Sequence, residues 1–235
     1  MYELQLLNYK TKTTFLGKIL KNQKLKRLVD IAGALFGLTI FSPLLIPTCI
    51  LIRLSGSKKI LFRQERVGKN GKFFTLYKLT TMNHDAHLVG PLVSKADDVR
   101  ITKVGKAIRM FNLNELPQFI NVLKGEMSIV GPRPETPRYV KYWPKDLKDR
   151  ILSIKPGITG YGTIEFWQES NILNDKKDPE KHYIKYIIGE KLKLESWYVD
   201  NWNLLLDFKI MIQTIFKAFN GERKAKNRWK IVDGR

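Results

Sequence analysis

Glu115 is the residue around which chemistry is most readily built in this chain. It sits in Asn112-Leu113-Asn114-Glu115-Leu116-Pro117-Gln118. Asn112 followed three residues later by Glu115 has the form of a capping box, in which the two side chains satisfy free N–H groups at a helix start. The same place has a second use. A helix N-terminus offers unpaired N–H groups and positive potential, which suits a phosphate. A carboxylate there, flanked by Arg109 and Arg133, can hold a divalent ion that bridges a diphosphate. Arg133 lies in Gly131-Pro132-Arg133-Pro134. Its two prolines describe a simple turn equally well, but a rigid frame also lowers the cost of presenting a guanidinium fork to a phosphate. His84 and His87 flank Asp85; with no further His or Cys ligand nearby, a metal site is not expected there. Cys49, inside an apolar run, reads as a small hydrophobe rather than a reactive thiol.

The elements that position these groups follow from composition and patterning. Of 235 residues, 42 are Lys or Arg and 22 are Asp or Glu, a formal charge of +20. Such a balance favours an anionic partner: nucleic acid, anionic lipid or a phosphorylated substrate. A hydrophobic content of 43% excludes global disorder. A single cysteine excludes a disulfide framework.

From Ile31 to Ile52, 22 residues carry no charged side chain. As a helix the run is about 33 Å long, against a bilayer core of about 30 Å. Length alone describes an ordinary span. Pro43 and Pro47 fall inside it, however, and each removes a backbone donor, so a bend at Ser42-Pro43 is expected. Ser42 can take up a carbonyl that the bend frees. Seven basic residues precede the run (Lys10, Lys12, Lys18, Lys21, Lys24, Lys26, Arg27) and seven follow it (Arg53, Lys58, Lys59, Arg63, Arg66, Lys69, Lys72). A spanning helix shows asymmetry. Matching flanks place both ends in the cytoplasm, with the helix entering and leaving one leaflet and its basic residues on anionic headgroups. No nucleic-acid recognition motif is present, and these residues already have a membrane role, so nucleic acid is not an expected partner.

Two β-rich runs, Ile60 to Gly68 and Lys72 to Leu79, joined through Asn70-Gly71, predict a hairpin. Residues 83–98 read as a loop and Ile101 to Met110 as a short helix. A second helix follows Asn112 and stops at Gly125. Prolines at 132, 134, 137 and 144 keep the next stretch irregular, and Lys155 to Gly160 is turn-rich. Helix returns from Pro179 to Phe219, interrupted near Tyr198 to Asn203; its last part, from Leu204, is apolar enough to be buried or interfacial. The expected fold is α+β and mainly helical. It comprises a basic lead-in (1–24), a re-entrant membrane helix-break-helix (25–56), and a compact cytoplasmic catalytic-type domain (57–219) with a small β-hairpin and interfacial amphipathic helices. A basic tail (220–235) follows.

Many ordered blocks carry a resemblance. They include Lys26 to Asp30, Ser42-Pro43, Phe62 to Gly68, Tyr77 to Met82, Arg100 to Gly105, Leu113 to Gln118, Asn121 to Ser128, Gly131 to Pro134, Lys155 to Gly160 and Leu206 to Ile210. Through them the chain resembles the bacterial sugar transferases, the small monotopic phosphoglycosyl transferases that start lipid-linked glycan assembly. The resemblance implies a re-entrant helix broken at Ser42-Pro43 and a site at the cytoplasmic face of the bacterial inner membrane. It implies a nucleotide sugar donor, a polyprenol phosphate acceptor such as undecaprenyl phosphate, and Mg²⁺, with Mn²⁺ as a substitute. The pathway served is exopolysaccharide, O-antigen or glycoprotein glycan assembly, with downstream glycosyltransferases as further candidate partners.

In that chemistry an Asp-Glu dyad supplies the nucleophile. Its Asp attacks the sugar-bearing phosphate and expels the nucleoside monophosphate; polyprenol phosphate then attacks the adduct, a ping-pong scheme. Carried over, Glu115 is the dyad Glu and metal ligand, Arg109 and Arg133 bind phosphates, and Lys78 and Asp207 are supporting polar residues. The nucleophile position holds Asn114, and Thr80 stands where the family usually has Arg. A neutral carboxamide cannot form the acyl phosphate. Asn114 therefore implies an engineered trap, a catalytically silent homologue or scaffold, or another carboxylate in that role, with Asp97 and Asp98 as candidates.

Overall fold

A computed structural model describes residues 21–83, 86, 90, 93–167 and 169–220, the last two without their side chains. His84, Asp85, His87, most of the basic lead-in and the basic tail lie outside the described residues. Helix α1, Gln23–Leu54, starts at Asn22, whose side chain accepts from Lys24 N and Leu25 N at 2.9 and 3.2 Å. Both prolines lie inside it. The expected helix-break-helix is therefore corrected to one uninterrupted helix. The reason is local: Ser42 Oγ donates to Thr39 O at 2.8 Å, the carbonyl that Pro43 cannot serve because it lacks an N–H.

Two ends of α1 pack on the rest of the chain and its middle does not. Asp30, Ala34 and Gly37 are buried toward one end, Thr48 and Ile52 toward the other, while Thr39 to Leu44 are exposed on every side. Six consecutive exposed residues exceed a full helical turn, so the helix lifts clear of the domain there. Near its start, Arg27 donates to Val122 O and Leu123 O at 2.6 and 3.0 Å. Asp30 Oδ1 accepts from Ser128 Oγ and Ile129 N at 2.9 and 3.0 Å. Gly37 allows Phe119 to approach so closely that a Cβ would lie 2.8 Å from the ring.

The hairpin forms as expected. Strands β1 (Leu61–Val67) and β2 (Phe73–Leu79) pair antiparallel from Leu61 opposite Leu79 to Val67 opposite Phe73. The connection carries Asn70 at φ 56° and Gly71 at φ 75°, a left-handed region these two residues tolerate. Helix α2 (Lys103–Met110) begins at Thr102, whose hydroxyl accepts from Gly105 N at 2.8 Å. A 3₁₀ turn, Leu113–Glu115, leads into α3 (Gln118–Lys124), which ends at Gly125 with φ 83°. Ile52 at the far end of α1 packs with Leu79 of β2 and Ile108 of α2.

One pairing escaped the sequence. Strand β3 (Ser128–Val130) runs parallel to β4 (Gly157–Thr159), which occupies the stretch expected to be only turn. Three residues between Pro156 and Gly160 show no alternation to read. Between the strands lie α4 (Pro137–Val140) and α5 (Lys145–Ile151); after them come α6 (Tyr161–Glu165), α7 (Glu169–Ile172) and α8 (Pro179–His182). A π turn, Tyr183–Ile187, continues into α9 (Ile188–Asn201), and Trp202-Asn203 separates it from α10 (Leu204–Asn220). The main core gathers Tyr139, Ile151, Phe166, Leu173, Tyr183 and Ile187. On α10, Leu204 and Ile210 are buried while Leu205, Phe208, Ile212, Ile215 and Phe216 face outward, an apolar stripe at helical spacing.

Asp207, 3% exposed, accepts from Tyr198 Oη at 2.6 Å, Trp202 Nε1 at 3.0 Å and Lys26 Nζ at 2.6 Å. It thus joins α10 and α9 to α1. Removing one partner of a buried pair strands the others. We expect Asp207→Ala to cost about 3–5 kcal/mol, read as a lowered melting temperature in detergent; an unchanged melting point would contradict this.

Candidate active site

Three separate segments bring their side chains to one point. Lys78 comes from the end of β2, Glu115 from the 3₁₀ turn and Arg133 from the loop after β3. Glu115 Oε1 accepts from Lys78 Nζ and from Arg133 Nη2, each at 3.0 Å. The capping box is not formed: Asn112 adopts φ 54° and its side chain caps nothing, so the Glu115 carboxylate is turned to the two cations. A left-handed residue cannot serve as an extended N-cap.

Burial shapes this triad. Desolvation alone would raise the Glu115 carboxyl, but Arg133 and Lys78 outweigh it and hold the group well below the usual carboxylate range. Burial lowers the Lys78 ammonium to about 8, against the opposing pull of Glu115. Glu115 pushes the Arg133 guanidinium up despite its burial. A carboxylate so placed stays ionised and is a weak proton acceptor.

The triad lies in a cleft of about 1830 Å³, which Asn112, Asn114, Thr80 and Arg109 also line. Arg109 Nε donates to Thr81 Oγ1 at 2.8 Å, and burial lowers its pKa. The buried Thr80 hydroxyl has no hydrogen-bond partner among the described residues. The structure thus brings Lys78, Arg109, Asn114, Glu115 and Arg133 to one cleft. It does not bring Asp207 to the cleft; that carboxylate is enclosed by Lys26, Tyr198 and Trp202. Asp97 and Asp98 are corrected as well. Neither lines the cleft, and Asp98 is closed by Arg100, whose Nη2 lies 2.6 Å from Oδ2.

The sequence reading missed a second group of residues. Arg66 Nη1 donates to Pro134 O at 2.9 Å and to Glu135 Oε1 at 3.0 Å. Tyr183 Oη donates to Glu135 Oε2 at 2.7 Å, and Lys191 Nζ donates to Tyr183 Oη at 3.1 Å and Glu169 Oε2 at 2.7 Å. Behind them Glu195 Oε1 accepts from Arg133 N at 3.2 Å. Arg66 and Glu135 adjoin motifs that could have flagged them. Lys191 and Glu195 sit in an ordinary charged helix pattern that offers no such signal.

A divalent cation implied by the family resemblance can be tested against these donors. Among the described residues no three His, Cys, Asp or Glu side chains cluster as a metal site. Both bonds to Glu115 fall on Oε1, leaving Oε2, with the Asn114 carboxamide on the same cleft wall. Mg²⁺ is commonly held by one or two carboxylates together with substrate phosphates. This donor set fits that pattern when a diphosphate is bound.

The comparisons with known proteins decide the family. The model described as "Bacterial sugar transferase" matches residues 21–221. The chain belongs to the bacterial sugar transferase family. It is 38% identical over 198 residues to the uncharacterized sugar transferase EpsL of Bacillus subtilis (strain 168), covering 84% of this chain and 89% of that protein. It is 33% identical to a UDP-N-acetylgalactosamine-undecaprenyl-phosphate N-acetylgalactosaminephosphotransferase of Aeromonas hydrophila, covering 84% of this chain and 44% of the relative. It is 34% identical to a UDP-glucose:undecaprenyl-phosphate glucose-1-phosphate transferase of Escherichia coli (strain K12), covering 84% and 41%. The chain thus spans most of the Bacillus protein and less than half of the other two.

In this sugar transferase Glu195 behaves unlike Glu115. Burial raises its carboxyl from 4.5 to about 7. Between those values the folded state holds the proton that the unfolded chain releases, so stability falls as pH rises from about 4.5 to about 7. The cost, about 3 kcal/mol, is fully present above that window. Glu195→Gln removes it. The native-minus-variant difference in unfolding free energy should change by about 2–3 kcal/mol between about pH 5 and about pH 8; a constant difference would contradict the assignment.

Proposed function

We propose that this chain transfers a phosphosugar from a nucleotide diphosphate sugar to a polyprenol phosphate, with undecaprenyl phosphate as the acceptor. The observation that carries this is the Glu115 carboxylate held between Lys78 and Arg133, with Arg109 on the same cleft. Three cations against one carboxylate leave an excess of positive charge, which suits a diphosphate. The undecaprenyl-phosphate transferases of Aeromonas hydrophila and Escherichia coli named above support the same reaction.

Glu115 and Asn114 would hold Mg²⁺, or Mn²⁺ in its place, and the ion would supply charge neutralisation for a bound diphosphate. Arg133 and Lys78 bind and orient the phosphates, and Glu115 keeps both cations in register. Full ping-pong turnover needs a carboxylate at position 114 to attack the sugar-bearing phosphate as the nucleoside monophosphate leaves. Asn114 is neutral, and it favours a second reading: a silent homologue or scaffold that binds donor and acceptor without transfer, with downstream glycosyltransferases as its partners.

We place α1 as a re-entrant helix at the cytoplasmic face of the inner membrane. It is long and apolar enough to cross a bilayer, with only 17% of its most apolar window buried. Packing of its two ends on one domain supports re-entry. A span would carry one end about 30 Å away, to the opposite side. The outward apolar stripe of α10 suits the same interface.

A donor panel with undecaprenyl phosphate and Mg²⁺, read as release of nucleoside monophosphate, tests the reaction. Asn114→Asp is expected to release it at least about 100-fold faster than the native chain; no release from either chain with any donor would sink the proposal. Topology is tested separately in a Cys49→Ser background. Lys21→Cys and Lys58→Cys should both react with a membrane-impermeant maleimide in inverted vesicles and neither in right-side-out vesicles. Labelling of the two from opposite sides would make α1 a span.

A further inference from the structure

Beyond Arg133 the cleft changes character. Arg66 is matched by Glu135 and Lys191 by Glu169, so these four groups carry no net charge. Lys191 is enclosed further by the rings of Tyr183 and Phe166, 5.1 and 6.0 Å away. Its ammonium is already satisfied and is a poor recruiter for a phosphate. Two further residues that line the cleft, Thr136 and Thr163, have hydroxyl oxygens that are buried without a hydrogen-bond partner among the described residues. Thr136 as a whole is 4% exposed and stands at the head of α4 without capping it. Trp167 also lines the cleft.

A buried hydroxyl left without a partner costs about 1–3 kcal/mol, which a ligand group able to donate or accept recovers. We propose that this wing is the subsite for the sugar of the donor, with Thr136 and Thr163 as its specificity-determining hydroxyls. This rests on the phosphosugar transfer proposed above. A sugar is neutral and rich in hydroxyls that both donate and accept, matching threonine hydroxyls, and its apolar ring face suits an indole. The position agrees: Thr136 follows Arg133 by three residues, and the sugar is joined directly to the phosphate that reacts. A nucleobase is the competing occupant of a neutral, aromatic-lined wing.

Calorimetric titration of the detergent-solubilised full chain with UDP, UDP-glucose and UDP-N-acetylgalactosamine in Mg²⁺ separates the two. The double variant Thr136→Val, Thr163→Val keeps shape and removes only unpartnered hydroxyls, so it should melt no lower than the native chain. It should bind UDP unchanged and at least one nucleotide sugar about tenfold more weakly. Should it melt lower, each single valine variant is titrated in its place with the same expectation. Equal weakening of UDP would make the wing a nucleoside subsite, and unchanged binding of both nucleotide sugars would leave the hydroxyls without this role; either overturns the inference while donor binding stands. A native chain that binds none of the three ligands overturns the proposed function as well.

Discussion

The buried ion pair between Lys26 and Asp207 fastens an apolar helix to the rest of the fold. Tyr198 and Trp202 complete the shell around the carboxylate. Arg27 and Asp30 add their own bonds to α3 and β3 within the next turn. These polar ties matter because apolar contact alone cannot position α1. The middle of the helix makes no contact among the described residues that would fix it, whereas a misplaced buried charge is costly. The helix is therefore indexed by charge at its start and by Ile52 against Leu79 and Ile108 at its end.

That indexing sets where the cleft opens. β2 and α2 receive the far end of α1 and also carry Lys78 and Arg109. The loop after β3, whose first residues are tied to Asp30, carries Arg133. The helix and the site thus share supports, and an excess of positive charge stands near the apolar surface. Farther along, each cation has its own carboxylate. The division between an unbalanced and a balanced half gives one cleft two chemical environments, one suited to phosphates and one to a neutral polar group.

Asn114 and Thr80 are departures within the unbalanced half. Neither disturbs the bonds among Lys78, Glu115 and Arg133. Compared with a carboxylate, a carboxamide at 114 carries one negative charge less beside Glu115, which under the proposed reaction would reduce repulsion of an incoming diphosphate. Under the proposed reaction it would remove the nucleophile by the same change, so that binding and turnover would be separable at one residue. Glu195, buried behind Arg133, adds a group whose protonation near neutral pH bears on stability.

Much of this was legible along the chain because its causes are local. Asn70-Gly71 forms the hairpin turn since those residues tolerate positive φ, and Gly125 ends α3 for the same reason. The charge-free run made α1 recognisable, and Ser42 beside Pro43 foretold the freed carbonyl at Thr39. Glu115 and Arg133 stood out through their neighbours. What tertiary structure alone decided depends on distance in sequence. The parallel pairing of β3 with β4 joins two three-residue strands too short to show a period. The Asn112 capping box was a sound local expectation that lost to two cations arriving from β2 and the Arg133 loop. Asp207 was expected near phosphates and instead anchors α1. Lys191 and Glu195 acquired their places only when α9 packed against the cleft wall. Backbone preferences act between neighbours and can be read from them; the partner of a buried charge is chosen by whichever segments the fold brings within about 3 Å.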